Sequence, residues 1–275
     1  MSLLRVHGLS KSFGGVQAVR GVDLVVSAGE LVALIGPNGA GKSTTFNMIN
    51  GQLTPDAGDI EYEGRRLVGL PARAIWRLGV GRTFQTAAVF ASMTARENVQ
   101  MVMLSHDRRL GRAFARASRY RCDEALQTLE WVGLASQAER ACQSLAYADL
   151  KRVELAMAIA NRPKLLLMDE PTAGMAPAER QSLMALTRQL AKDKLMGVLF
   201  TEHSMDVVFG FADRVLVMAQ GELIAQGLPS QVQADPKVGE AYFGRSGSQV
   251  AMAAKGAEGA EGAEGALGAV SGDVP

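Results

Sequence analysis

Residues 31–44 constrain the fold more than any other segment of this sequence. Residues 31–35 read LVALI, an apolar run that is typical of a strand buried on both faces of a sheet. The residues that follow read GPNGAGKST and match the pattern G-x-x-x-x-G-K-[ST]. A strand, a glycine-rich turn and a helix start in this order predict a loop that binds the phosphate groups of a nucleotide.

The residue types of this loop indicate its chemistry. Glycines let the backbone curl tightly and bring its N–H groups close to phosphate oxygens, and the positive end of the following helix faces the same anion. We expect Lys42 to contact the β- and γ-phosphates of a nucleoside triphosphate and Ser43 to offer its hydroxyl to Mg²⁺. The expected nucleotide-binding residues of the loop are Gly36, Pro37, Asn38, Gly39, Ala40, Gly41, Lys42, Ser43 and Thr44.

A second apolar run, residues 165–168, ends in two adjacent carboxylates, Asp169 and Glu170. Taken alone, such a pair fits a solvated strand end as well as it fits a catalytic site. Together with the upstream phosphate loop it favours catalysis. We expect Asp169 to join the Mg²⁺ ligands and Glu170 to act as the general base that polarises water.

Two further residues are candidates for the same site. His203 follows an apolar run at residues 198–201, and this position at the end of a strand favours contact with the γ-phosphate. Gln85 stands where a helical region begins, and we expect it to contact Mg²⁺ or the attacking water. A lone histidine or glutamine is usually an ordinary core or surface residue, so both predictions depend on the other two elements.

The arrangement of predicted elements indicates an α/β fold. Strands at residues 3–6, 22–26 and 59–62 predict an antiparallel sheet attached to a nucleotide-binding core. Residues 86–160 are rich in Ala, Leu, Met, Arg and Glu, as in helices. Beyond them, strands alternate with helices, which predicts a parallel sheet whose ligands lie at the carboxyl ends of its strands.

The composition excludes several classes of protein. A net charge of +1 gives no support to nucleic acid or an anionic membrane as a general partner. The sequence has no apolar run of about 18 residues, so we expect no membrane span. Residues 1–10 lack a secretory pattern, and we expect the chain to stay in the cytosol. Cys122 and Cys142 are too few for a disulfide framework or a metal cluster.

The last thirty residues differ from the rest of the chain. Residues 246–275 contain the triplet Gly-Ala-Glu three times in tandem, from Gly256 to Glu264. Such a segment has little apolar surface to bury, and we expect it to be a disordered tail.

The order of these motifs resembles that of the ATP-binding-cassette ATPases over residues 3–244. The motifs that carry the resemblance are Phe13, GPNGAGKST, Gln85, the segment LAYAD at 145–149, LLLMDEP and His203. Three details are similar to the ATPase subunits of branched-chain amino acid importers. They are LAY before a helix that contains LKRVE, AGMAP at 173–177 and EAYFG at 240–244.

This resemblance implies a P-loop NTPase fold of the ATP-binding-cassette type. It would comprise a RecA-like core, an antiparallel β subdomain and a helical subdomain inserted at about residues 86–160, all within residues 1–245. ATP and Mg²⁺ would be the cofactors, and Phe13 would stack on adenine. The implied function is ATP hydrolysis that powers the import of branched-chain or related amino acids, at the cytoplasmic face of the inner membrane.

The resemblance also implies partners. Two ATPase subunits would enclose two ATP molecules, and the helical subdomain would press on transmembrane permease subunits. A periplasmic substrate-binding protein would take part indirectly, and no nucleic acid is expected.

A predicted helix carries four arginines on one face: Arg109, Arg112, Arg116 and Arg119. They form either a solvated basic face or a contact with lipid headgroups or an acidic loop of the membrane subunit.

The sequence departs from the family pattern at the signature loop, which usually reads Leu-Ser-Gly-Gly-Gln. Ala146 lacks the hydroxyl that would reach the γ-phosphate on a partner subunit, and Ala148 adds a methyl group where backbone should approach phosphate. We expect the helix after this loop to begin at about Leu150. Ala176 replaces the usual aspartate after the carboxylate strand. These changes favour a heterodimer over a homodimer.

Three alternatives remain open at this stage. The subunit could serve another substrate, such as urea, amides or an exported lipid. A soluble ATPase that acts on DNA or ribosomes would be expected to carry two cassettes or a long coiled coil, and the sequence has neither. A catalytically weak regulatory module would explain Ala146, Ala148 and Ala176, but the intact Asp169, Glu170 and His203 argue against it.

Overall fold

The computed structural model of this protein describes residues 2–83, 89–107 and 120–241. Gln85, the arginine cluster between residues 109 and 119, and the predicted tail at 246–275 lie outside the described residues. The boundaries predicted for the domain and its tail therefore stay predictions.

The described chain forms strands and helices in the following order. The strands are β1 (Ser2–Phe13), β2 (Val16–Ser27), β3 (Leu31–Ile35), β4 (Ala57–Tyr62), β5 (Arg65–Arg66), β6 (Val80–Arg82), β7 (Leu165–Asp169), β8 (Gly197–Thr201), β9 (Arg214–Ala219) and β10 (Glu222–Gly227). The helices are α1 (Lys42–Ile49), α2 (Ala72–Arg77), α3 (Ala95–His106), α4 (Cys122–Trp131), α5 (Tyr147–Ile159), α6 (Pro177–Asp193), α7 (Met205–Phe211) and α8 (Pro229–Ala234).

The larger sheet is mostly parallel, and its strand order positions the predicted site. The order is β10-β9-β3-β8-β7-β6, with β10 antiparallel to β9 and the other neighbours parallel. β8 therefore lies between β3, which leads into the phosphate loop, and β7, which ends in the carboxylates. Because parallel strands end at the same edge of a sheet, the polar residues after β3, β7 and β8 come together.

Alternating side chains of this sheet enter two different apolar cores. Leu31, Ala33 and Ile35 of β3 pack into the first core, together with α5 and α6. Val32 and Leu34 pack into the second core on the opposite face. A strand with cores on both faces needs apolar residues at every position, which explains the uninterrupted run in the sequence.

The second core lies between the larger sheet and a smaller antiparallel sheet. The smaller sheet has the order β2-β1-β4-β5, and α1 contributes Phe46, Met48 and Ile49 to the core. β1 and β2 each extend over 12 residues, well beyond the predicted strands. Register shifts near Gly8, which has a φ of 58°, let such long strands twist without losing their pairing.

Three helices, α3, α4 and α5, pack against one another in the region that the sequence predicts to be helical. α3 begins with a reciprocal cap. The amide of Glu97 donates to Thr94 Oγ1 at 3.1 Å, and the amide of Thr94 donates to the Glu97 carboxylate at 2.9 Å. This pair satisfies two amides that the first turn of a helix leaves without an intrahelical partner.

Replacing Phe200 by alanine tests how strongly the central sheet depends on its first core. Phe200 of β8 is fully buried. We expect Phe200→Ala to lower the free energy of unfolding by about 3–5 kcal/mol, because it removes apolar contacts and leaves a cavity. Val16→Ala, at a side chain that is 69% exposed, is the control and should change this free energy by less than about 0.5 kcal/mol. Urea unfolding followed by circular dichroism measures both, and equal effects would contradict the burial described.

Candidate functional site

The phosphate loop joins β3 to α1 and is packed closely against neighbouring backbone. A Cβ atom on Gly36 would lie 2.1 Å from the carbonyl oxygen of Met218, and a Cβ atom on Gly41 would lie 2.4 Å from that of Ala18. Gly41 also has a φ of 101°, a conformation that favours glycine. Only glycine fits these two positions, so the spacing of the motif is a packing requirement of this loop.

Lys42 is buried beneath the loop. Its ammonium donates to the carbonyl oxygens of Gly36 at 2.7 Å and of Pro37 at 3.1 Å. Burial lowers the pKa of Lys42, and the negative charges of Glu170 and Asp169 act in the opposite direction. These two charges act on Lys42 because the carboxylates lie close to it at the same edge of the sheet.

The loop fits a phosphate group. Both acceptors of the Lys42 ammonium are neutral carbonyl oxygens, so its charge is not neutralised by them. Asn38, Gly39 and Ser43 are exposed around it, and the first turn of α1 carries no acidic residue. A cation next to a helix N-terminus whose first turn carries no acidic residue favours an anion.

The carboxylates after β7 are held by side chains of neighbouring strands. Asp169 accepts a hydrogen bond from Thr201 Oγ1 at 2.7 Å, and its other oxygen lies 3.6 Å from Arg82 Nη2. The backbone N–H of Glu170 donates to the same Thr201 oxygen at 3.0 Å. Glu170 has a φ of 47°, a left-handed conformation that costs a residue with a side chain about 1–2 kcal/mol.

His203 lies against Glu170 at the same edge of the sheet. Its Nε2 is 2.9 Å from Glu170 Oε1. The carboxylate oxygen accepts, so Nε2 carries the hydrogen in this pair. The contact with the γ-phosphate that the sequence predicts for His203 stays a prediction, and the structure adds a direct partner for the imidazole.

Glu202 is a buried carboxylate that the sequence analysis did not single out. Its Oε1 accepts from the backbone N–H of Thr172 at 3.0 Å and from the Thr172 hydroxyl at 2.5 Å. Its Oε2 accepts from the backbone N–H groups of His203 at 3.0 Å and Ser204 at 3.4 Å. A buried charge is tolerated when it is well hydrogen-bonded. Glu202 therefore ties the segment after β7 to the segment after β8.

The remaining predicted site residues lie on other elements. Phe13 ends β1, is 47% exposed, and has the ammonium of Lys11 5.6 Å from the centre of its ring. Ala146 immediately precedes α5, and Ala148 lies in its first turn. The hydroxyl of Tyr147, between them, donates to the carbonyl oxygen of Ala173 at 3.1 Å. This contact links the start of α5 to the segment after β7.

The predicted start of α5 was wrong. The helix begins at Tyr147, three residues before the expected start at Leu150, and Ala146 adopts the extended conformation that precedes a helix. Asp149 in the first turn accepts a hydrogen bond from Gln137 Nε2 at 3.0 Å. Residues 147–149 contain no apolar periodicity, and their helical conformation depends on these contacts with other parts of the chain.

The structure thus brings Lys42, Asp169, Glu170 and His203 to one edge of the sheet. Gln85 lies outside the described residues. Three side chains that sequence reasoning missed contact this set: Arg82, Thr201 and Glu202. Their position at strand ends was a signal present in the sequence, but their partners depend on strand order.

Comparison with known proteins identifies the family. The family described as "ABC transporter" matches residues 19–173, more than half of the chain. The chain belongs to the ABC transporter family. Its sheets and phosphate loop are those of a P-loop ATP-binding cassette, and members of this family are ATPases whose hydrolysis is coupled to transport. A second family, described as "Branched-chain amino acid ATP-binding cassette transporter", matches residues 222–247.

Two curated relatives match the cassette over most of its length. One is the high-affinity branched-chain amino acid transport ATP-binding protein BraF of Pseudomonas aeruginosa, which is 39% identical over 89% of this chain and 98% of its own length. The other is the protein of the same description, LivG, of Escherichia coli, also 39% identical over 89% of this chain and 98% of its own length.

Solved structures of cassettes have the same fold. The ADP conformation of MJ1267, an ATP-binding cassette of an ABC transporter, is 32% identical, with a TM-score of 0.79 over 89% of this chain and 100% of that one. A nucleotide-free ATP-binding cassette is 31% identical, with a TM-score of 0.78 and the same coverage. Nucleotide binding is thus a property of this fold.

No helix in the described part of the chain combines the length and the apolar character needed to cross a bilayer.

Alanine substitution of two loop glycines tests the packing of the phosphate loop. Gly41→Ala places a Cβ atom against Ala18, and overpacking of this kind costs about 1–3 kcal/mol. Gly39→Ala is the control, since Gly39 has a φ of 79° but no atom of the described residues within 4 Å of the added Cβ. We expect Gly41→Ala to lower the free energy of unfolding in urea more than Gly39→Ala does. A larger effect of Gly39→Ala would contradict the close packing.

Proposed function

We propose that this cassette is the ATP-hydrolysing subunit of an importer for branched-chain or related amino acids. The observation that carries the proposal is the parallel register of β3, β8 and β7, which brings the phosphate loop with Lys42 and the carboxylates Asp169 and Glu170 to one edge of the sheet. The names of BraF and LivG and the match at residues 222–247 support the substrate class.

The residues of the loop would hold the nucleotide. In this proposal, backbone amides between Gly36 and Thr44 and the ammonium of Lys42 bind the β- and γ-phosphates of ATP. Phe13, half exposed at the end of β1, would offer its ring to adenine. The hydrogen bonds from Lys42 to carbonyl oxygens would give way to hydrogen bonds to phosphate oxygens, in which donor and acceptor are both ionised.

The donor set also fits Mg²⁺. This ion usually binds through one or two carboxylates together with substrate phosphates and water. Across the described residues, no group of three or more His, Cys, Asp or Glu side chains could hold a metal alone. The oxygens of Ser43, Asp169 and Gln85 are our proposed ligands. When bound, Mg²⁺ would neutralise charge on the phosphate oxygens.

Glu170 would accept the proton of the attacking water. Its carboxylate is partly exposed and lies at the end of β7, beside the buried Lys42. Nε2 of His203 orients this carboxylate through the contact described above, and we propose that the imidazole reaches the γ-phosphate when ATP is present. Gln85 would help to position the water. The chain thereby supplies a base, an orienting donor and a fixed cation at one edge of the sheet.

The proposal includes partners. A second ATPase subunit would present its signature loop to the nucleotide bound here, while Ala146 and Ala148 would face the nucleotide of that subunit. The proposed arrangement is a heterodimer, because Ala146 lacks a hydroxyl donor and Ala148 adds a methyl group where backbone would approach phosphate. The cassette would attach peripherally to transmembrane permease subunits at the cytoplasmic face of the inner membrane, and a periplasmic binding protein would deliver the solute.

Substitutions of Glu170 and Lys42 separate hydrolysis from binding. We expect Glu170→Gln to lower kcat for ATP hydrolysis by about 10²–10⁴-fold, because the amide cannot act as a base, while ATP binding is retained. Lys42→Ala should weaken ATP binding itself. Turnover assays and equilibrium dialysis with labelled ATP measure the two effects. Glu139→Gln, at a carboxylate paired with Arg96, is the control and should leave both unchanged. Full activity of Glu170→Gln would contradict the assigned base.

Reconstitution tests the transport function. The cassette is to be copurified with its permease and its partner ATPase, placed in vesicles, and assayed for ATP turnover with single solutes and their binding protein. We expect branched-chain amino acids to stimulate turnover, because the solute signal reaches the cassettes only through the permease. Stimulation by urea, amides or a lipid instead would reject the substrate class. Vigorous turnover by the purified chain alone would argue against an obligatory heterodimer.

A further inference from the structure

Thr201 lies at the centre of the site, between the strand of the phosphate loop and the strand of the carboxylates. Its backbone is in register with Leu34 of β3 on one side and with Asp169 of β7 on the other. The residue is 1% exposed. Thr201 therefore ends the one strand that separates the phosphate-loop strand from the carboxylate strand.

The two hydrogen bonds of the Thr201 hydroxyl have fixed directions. The backbone N–H of Glu170 can only donate, so at 3.0 Å the hydroxyl oxygen accepts from it. The hydroxyl hydrogen is then available for Asp169 Oδ1, 2.7 Å away. One hydroxyl group thus holds both carboxylate residues of the proposed site, through the side chain of Asp169 and the backbone of Glu170.

Each of these bonds constrains a different part of the site. The bond to Asp169 Oδ1 fixes the rotation of that carboxylate. The bond to the Glu170 amide supports a backbone conformation that is unfavourable for a residue with a side chain, since its φ is 47°. A change in that φ would turn the Glu170 side chain away from its present position beside His203.

We propose that Thr201 is a positioning residue for ATP hydrolysis. Its hydroxyl orients Asp169 toward the Mg²⁺ that accompanies ATP, and it holds Glu170 in the conformation from which the carboxylate serves as base. This inference rests on the proposed function, because it assumes that Asp169 is a Mg²⁺ ligand. Groups that orient a metal ligand typically change metal affinity or activity by about 10–100-fold when they are removed.

Isosteric substitution isolates the hydroxyl from the shape of the side chain. Thr201→Val preserves the branched shape and removes both hydrogen bonds, whereas Thr201→Ser keeps the hydroxyl. Thr187→Val is a matched control. Thr187 is also fully buried, and its hydroxyl donates to the carbonyl oxygen of Leu183 within α6. If Thr201→Val does not fold, Thr201→Ala replaces it, since it removes the same hydroxyl without placing an apolar group against Asp169.

The first measurement is the Mg²⁺ dependence of ATP turnover by the assembled transporter. For Thr201→Val we expect the Mg²⁺ concentration at half-maximal turnover to rise by about 10–100-fold, with a lower kcat. Binding of ATP in the presence of EDTA should be unchanged, because the phosphate loop is intact. Thr201→Ser and Thr187→Val should behave like the unmodified protein. An unchanged Mg²⁺ dependence in Thr201→Val would overturn the proposal.

The second measurement does not depend on turnover. Amide hydrogen exchange of the peptide that contains residues 169–172 should be faster in nucleotide-free Thr201→Val than in Thr187→Val, because the support for the Glu170 amide is lost. Unchanged exchange would also overturn the inference. Failure of the proposed function itself gives a different result. In that case the unmodified transporter shows no Mg²⁺-dependent hydrolysis of ATP, while Thr201→Val still differs from Thr187→Val in hydrogen exchange at residues 169–172.

Discussion

The parallel pairing of β8 with both β3 and β7 is the constraint on which the site depends. The backbone ladder aligns Thr201 with Leu34 and with Asp169, so three strands end together at one edge of the sheet. The phosphate loop follows β3, the carboxylates follow β7, and Thr201, Glu202 and His203 fill the space between them. Residues far apart in the chain thereby share one environment, in which the charges of Glu170 and Asp169 reach Lys42.

Burial makes the polar contacts in this environment important for stability, because a buried charge or polar group without a partner is costly. Desolvation disfavours the charged form of Lys42, and the nearby carboxylates oppose that effect. Glu202 carries a buried charge that four hydrogen bonds from Thr172, His203 and Ser204 compensate. Moving any of these groups would cost free energy, because it would leave a buried donor or acceptor without a partner. A hydrogen-bonded arrangement of this kind keeps its polar groups oriented before a ligand arrives.

Much of the fold follows from local patterns. The apolar run Leu31–Ile35 forms a strand with the predicted bounds, and the apolar run at residues 165–168 lies within β7. Shorter elements escaped prediction. Val80–Arg82 is a strand because it pairs with β7, and three residues carry too little periodicity to show this. The start of α5 was misplaced because contacts of Tyr147 and Asp149 with distant residues stabilise its first turn.

By itself, the sequence determined which chemical groups stand at the strand ends: a glycine loop with Lys42, the pair Asp169 and Glu170, and His203. Local periodicity places such residues at the ends of elements, because the apolar residues of a buried strand are followed by polar residues where the chain reaches the surface. Only the tertiary structure decided that the Thr201 hydroxyl bonds to Asp169 and to the Glu170 amide, which lie 32 and 31 residues earlier in the chain. It also decided that Glu202 links the segment after β7 to the segment after β8. These partners are set by strand order and register, which depend on long-range backbone pairing and leave no periodic signal in the sequence.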